Sequence, residues 1–229
     1  MDKAGLLELI ARINTQEKDF RISTETTSWK ALREAETLTD PALFPLLEEI
    51  ITENEGKAKA KREVRSAAYF ICGRLMEQAF DRDACAFFLR RLEVETDKNL
   101  LHSMLNGVKD WQGKQGILLP PELDSSPVAR LAEDDRWLVR HAAIHALKAC
   151  PGEGSREVLR RWLAQEDEKA YKYEMWYAAI AMQAIGQPED IPLLERFLKS
   201  RRRDLKTTAK YAIQLIKERE ERARREVAP

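Results

Sequence analysis

Small and apolar residues recur at the spacing 0, +3, +4, +7 at five places along the chain. Val64, Ala67, Ala68 and Ile71 form the first set, and Leu101, Met104, Leu105 and Val108 the second. Val139, Ala142, Ala143 and Ala146 follow, then Met175, Ala178, Ala179 and Met182, then Leu205, Thr208, Ala209 and Ala212. At ~100° per residue these positions share one narrow stripe of a helix. Successive sets begin 37, 38, 36 and 30 residues apart, which a chance amphipathic helix would not repeat. The period predicts a two-helix repeat. Its second helices (B) are expected at about 60–77, 97–109, 135–149, 170–185 and 203–218. Its first helices (A) are expected at about 41–53, 81–92, 126–133, 155–165 and 188–199. A less regular pair, about 2–13 and 24–37, precedes them, with Trp29 and Leu32 as its stripe.

Two A-helix starts match each other: PALFPLLE from Pro41 and PEDIPLLE from Pro188. Proline suits the first helical position because its missing N–H is unpaired there in any case. The second proline removes a further donor and bends the first turn. Asp40 is placed to cap the first copy. Paired alanines let neighbouring B helices approach closely, and stacking then buries a face that no single pair can bury alone. Breaks are expected at Gly113 and Gly116, at Pro151-Gly152, and at Gly186-Gln187-Pro188. The expected fold is all-α, a right-handed α-solenoid of about six helix pairs in one domain spanning 1–229. Its parts are an irregular pair over 1–39, repeats at about 40–79, 80–116, 117–151, 152–186 and 187–218, and a charged tail over 219–229.

The segment LAEDDRWLVRHAAIHAL, from Leu131 to Leu147, has an acidic turn, Val-Arg, paired alanines and a leucine. It resembles the B-helix region of a HEAT repeat, as found in bacterial HEAT-repeat and bilin-lyase-like HEAT proteins. The proline-bearing A helices match as well, and the resemblance covers about residues 40–217. Leu101-His102 and Met175-Trp176 depart from the usual Val-Arg. The resemblance implies that B helices line a concave surface. It also implies that the arginine at +1 bonds a carboxylate or carbonyls of a neighbouring repeat. That slot holds Arg65, His102, Arg140, Trp176 and Lys206, and Arg140 is expected to meet Asp134 or Asp135.

Composition narrows the function classes. Lys+Arg number 39 and Asp+Glu 39, so no global field draws the chain to nucleic acid or an anionic membrane. Cys72, Cys85 and Cys150 are far apart and odd in number, which suits free thiols in a reducing cytoplasm. No apolar run approaches the ~20 residues that span a bilayer. The start, MDKAGLLELIARIN, is amphipathic and unlike a secretory signal.

Positions −2 and +2 lie opposite the stripe. They read Arg62 and Ser66, Asn99 and Ser103, Trp137 and His141, Tyr173 and Tyr177, Arg203 and Thr207. Tyr69, Asn106 and Lys210, at +5, are expected beside this ladder. Its centre, Trp137, His141, Tyr173 and Tyr177, is the best candidate for binding a protein partner, since aromatic residues dominate interface hot spots. Tight inter-repeat packing of the same rings is the structural alternative. Tyr171 reads as facing near the core and Trp176 as an edge ring.

The main functional expectation is a non-catalytic scaffold or adaptor for protein–protein interaction, without cofactor or metal. His141 and His145 have i, i+4 spacing but lack the intervening glutamate of HExxH. The His-Glu pairs of deoxyhypusine hydroxylase, a HEAT enzyme with iron, are absent. Nucleic-acid binding is the runner-up, through KAKAKREVR (57–65) and KSRRRDLKTTAK (199–210). Trp137, Arg140, Tyr173 and Tyr177 are loosely similar to the cleft of HEAT-like alkyl-base DNA glycosylases. That family's paired tryptophans followed by aspartate are missing, and the matching segment here reads TDKNLLHSM. A bilin-lyase-like chromophore activity follows from resemblance alone, and fold does not imply function. KEREERARRE, from Lys217, reads as a solvated continuation of the last helix.

Overall fold

The computed structural model describes residues 1–111 and 118–227, and every regular element among them is a helix. The break expected at Gly113 and Gly116 lies outside the described residues. The chain forms two compact units, Met1–Gln115 and Gly116–Pro229. The first holds α1 (Lys3–Ile13), α2 (Thr27–Ala35), α3 (Leu43–Glu53), α4 (Lys59–Gln78), α5 (Arg82–Val94) and α6 (Lys98–Trp111). The second holds α7 (Ser126–Leu131), α8 (Trp137–Ala146), α9 (Glu153–Leu163), α10 (Lys172–Ile185), α11 (Ile191–Glu195) and α12 (Arg203–Val227).

Both units are built as α-solenoids. In the first, A helix α3 packs on α5 and B helix α4 on α6. In the second, α7, α9 and α11 form the A layer, and α8, α10 and α12 the B layer. Every stripe residue is buried except Val64 and Thr208, which are half-buried. Burying each large member of the stripe stabilises the stack by about 1.5–3 kcal/mol. The proline-rich start of the last pair is a 3-10 turn over Pro188–Asp190, then the short α11, then a second 3-10 turn over Arg196–Lys199. Two prolines so close remove the donors that a continuous α-helix would need. Buried Asp190 caps this start by accepting from the Gln187 N–H at 2.8 Å, and it also pairs with Arg160 of α9.

Three expectations are corrected. In α2 the buried stripe is Ala31 and Ala35, while Trp29 is exposed and lies under Arg33. The two alanines, four residues apart, lie on the side of α2 that is packed, and α2 packs on α1. Tyr171 is exposed and leans on Trp162, because it precedes α10 and the helical wheel does not apply to it. The charged segment after Lys217 is helical, but one of its side chains is not simply solvated. Arg219 is half-buried and donates to the carbonyls of Gln183 and Gly186, closing the C-terminus of α10. Gly186 itself is buried there. A Cβ at this position would stand 2.6 Å from the Met182 carbonyl oxygen and 2.8 Å from Ile216 Cδ1, so only glycine fits.

Candidate functional site

The start of α8 is fixed by its own acidic turn. The Asp134 carboxylate accepts from both the backbone N–H and the guanidinium of Arg136. Those bonds hold the Asp134 carboxyl below its ordinary range despite partial burial. One turn on, Arg140 donates to the carbonyls of Asp134 (2.8 Å) and Asp135 (3.2 Å). Its charge partner is neither aspartate but Glu174 of α10, accepting from Nε at 2.9 Å. In the first unit Arg65 repeats this arrangement. It donates to the carbonyls of Asn54 and Gly56 and pairs with buried Glu95.

Glu174 lies under a cluster of rings. His141 Nε2 donates to the same carboxylate oxygen at 3.0 Å. Burial alone would raise the Glu174 carboxyl, but the backbone N–H, Arg140 and His141 outweigh it and hold it below its ordinary range. Above this network Trp137, His141 and His145 follow one line of α8, and Tyr173 and Tyr177 one line of α10. His141 is 5.7 Å from Trp137, 5.6 Å from Tyr173 and 5.7 Å from Tyr177, centre to centre. His145 stacks on Tyr177 at 5.2 Å with 24° between the planes. Trp137 is 63% exposed and Tyr173 47%, whereas Tyr177 and His141 are half-buried between their neighbours. Lys172 Nζ lies 5.0 Å from the Tyr173 ring centre.

Trp176 fills the slot where arginine is usual. Its Nε1 donates to Thr208 Oγ1 of α12 at 3.1 Å. Arg202 ties the same helices at their starts by donating to the Lys172 carbonyl at 2.8 Å. These two bonds join α12 to α10 near the starts of both helices. Arg203, Lys206, Thr207, Lys210 and Tyr211 are all exposed. Asp204 is engaged by Arg202 at 2.8 Å.

In the first unit Asn99 is exposed, while Ser103, Asn106 and Arg62 are half-buried. Arg62 is paired with Asp97 at 2.7 Å. Tyr69 does not stand beside the ladder as expected: it is 2% exposed. Its ring meets Phe88 of α5 edge-on at 5.7 Å and its hydroxyl accepts from Arg91. Position +5 points away from its own stripe, but here the next pair covers that flank. At the same position Asn106 is half-buried and Lys210 exposed.

Sequence reasoning missed Glu174, which no motif marks. Its one signal is its place at −1, on the stripe edge facing the +1 arginine of the preceding B helix. His145 joins the cluster through Tyr177. Among the described residues no group of three metal-ligating side chains comes together.

A family model for HEAT repeats matches residues 125–214. Among solved structures, a designed armadillo repeat protein in complex with the peptide (KR)4 is 14% identical, with a TM-score of 0.50 and a match covering 92% of this chain and 99% of that one. A second designed armadillo repeat protein is 14% identical, with a TM-score of 0.48 and the same coverage of 92% and 99%. Human deoxyhypusine hydroxylase in complex with glycerol is 12% identical over 94% of this chain and 97% of that one, with a TM-score of 0.29. No curated protein matches. The chain has an all-α solenoid fold of repeated helix pairs, similar to HEAT repeats over residues 125–214.

Proposed function

We propose that the chain is a non-catalytic interaction module that docks a protein segment on the B-helix face of its second unit. The observation that carries this is the pair of exposed rings, Trp137 and Tyr173, both packed on His141, which Glu174 holds in place. Aromatic side chains held in place bring large contact area with little rotamer freedom left to lose on binding. The designed armadillo repeat protein of the same fold class binds a peptide, which supports a peptide-sized partner. Among the described residues neither α4 nor α6 carries an exposed ring, so the proposal rests on the second unit. A glycosylase reading loses support. The one carboxylate inside the cluster is buried and already held by two basic side chains, so it is not free to act on a base. Three buried free cysteines favour a reducing cytoplasm as the place of action.

A second reading, nucleic-acid binding, draws on the exposed Arg201, Arg203, Lys206 and Lys210. Affinity capture with the wild type and with Trp137→Ala/Tyr173→Ala separates the two. Both rings are exposed, so the variant should melt within a few degrees of the wild type, yet lose its captured proteins. Tyr177 is left untouched because it is packed beneath His145. Unchanged capture by the variant would sink the docking reading. Capture abolished by nuclease would favour nucleic acid.

A further inference from the structure

We infer that the segment docked on α8, α10 and α12 is acidic and extended. The inference rests on the docking reading above and adds the chemistry of the partner. It comes from the charge left unanswered on that face. Across α8, α10 and α12 as far as Lys217, the carboxylates are Glu174 and Asp204, both already held by arginines. The same stretch exposes Lys172, Arg203, Lys206, Lys210 and Lys217. The cations concentrate toward one end: Trp137 stands on α8, Tyr173 with Lys172 on α10, and Arg203, Lys206 and Lys210 on α12 beside the exposed ring of Tyr211. A basic segment would meet like charge over most of this path, and a wholly apolar one would leave the cations without partners.

Extension follows from the spacing. Neighbouring helix axes lie ~8–10 Å apart, so a path from α8 to α12 runs ~20 Å. An extended chain covers that with about six residues, and alternate side chains then face the surface. The arrangement suits one apolar anchor between Trp137 and Tyr173, followed by carboxylates over Arg203 and Lys210.

The test is selection of a random dodecapeptide phage library on the full chain, then fluorescence anisotropy with the enriched peptides. The expected peptides carry an excess of Asp and Glu around one apolar residue. Their affinity should fall about tenfold in Arg203→Glu/Lys210→Glu, and fall again as salt rises. Both substituted side chains are exposed, and circular dichroism checks that the variant is folded. Neutral or basic peptides that bind the wild type but not Trp137→Ala/Tyr173→Ala would overturn the acidic assignment and leave the docking reading standing. Acidic peptides indifferent to the charge reversal would overturn it too. No enrichment above the Trp137→Ala/Tyr173→Ala control would overturn both. An oligo-dT probe of ~20 nucleotides that binds more tightly than every enriched peptide would assign the face to nucleic acid instead.

Discussion

Replacing Arg65 with methionine removes a guanidinium from the inside of the first unit. Arg65 and Glu95 keep only 5% and 4% of their side-chain surface in contact with water. Two guanidinium hydrogen bonds reach Glu95, at 3.0 and 3.2 Å, and two more reach the Asn54 and Gly56 carbonyls at 2.7 and 2.8 Å. At ~3 Å and an effective dielectric of ~20 the ionic attraction is about 5 kcal/mol, partly offset by the desolvation of both ions. Breaking a buried pair from one side strands the other charge, with a typical loss of about 3–5 kcal/mol. With two carbonyls stranded as well, the loss for Arg65→Met does not fall below the middle of that range, about 4 kcal/mol. With a urea m-value of ~2 kcal/mol/M, the midpoint falls by about 2 M, read by circular dichroism. Arg140→Met should lose less, about 2 kcal/mol, because Arg140 is more exposed and Glu174 keeps His141. Arg65→Met/Glu95→Leu should recover about 1–2 kcal/mol, since no charge is then stranded. A midpoint shift under ~0.5 M for Arg65→Met, or a double variant no better than the single, would refute this reasoning.

Gly186→Ala forces a methyl group against the Met182 carbonyl and Ile216, and should destabilise by about 1–3 kcal/mol in the same urea assay. Cys72, Cys85 and Cys150 are fully buried, and burial pushes the Cys85 thiol up to about 12 and the Cys72 thiol higher still. A thiol reagent such as DTNB should therefore find no reactive cysteine in the native protein and all three after unfolding. Glu174, Asp134 and Asp97 have folded-state carboxyls held below their ordinary values. Such groups bind protons more readily when unfolded, so their stabilisation is present above the ordinary carboxylate range and lost as pH falls through it. For Glu174 that loss begins near its ordinary value of 4.5. The urea midpoint should fall as the pH is lowered from there, and Glu174→Gln should show a smaller fall.

The fold was legible because one pattern is written five times. A residue such as Ala143 is uninformative by itself, but Ala68, Leu105, Ala143, Ala179 and Ala209 at one offset define a buried line. The ladder was legible only where a helix is judged by its own wheel. Trp137 and Tyr173 obey their angles and are exposed. Tyr69 has an outward angle and is buried, because a wheel does not contain the neighbouring helix. Trp29 failed for a related reason, since apolarity alone does not tell which side of α2 its neighbours cover. Glu174 and Glu95 were invisible because their arginines lie 34 and 30 residues away. Nothing local marks a carboxylate as the partner of a distant cation. Tyr171 was placed by a helix that had not yet begun.

The end of α10 carries a further consequence. Its last carbonyls are closed by Arg219, 33 residues beyond Gly186, and the space beside Gly186 is filled by Ile216. During synthesis α10 therefore emerges with an unfinished terminus, and stays unfinished until most of α12 has followed. The chain's order of manufacture and its order of consolidation differ here. A nascent protein halted after the fourth repeat would carry Tyr173 and Tyr177 on a helix whose far end is still open to water. The candidate face would then be made before it is firm.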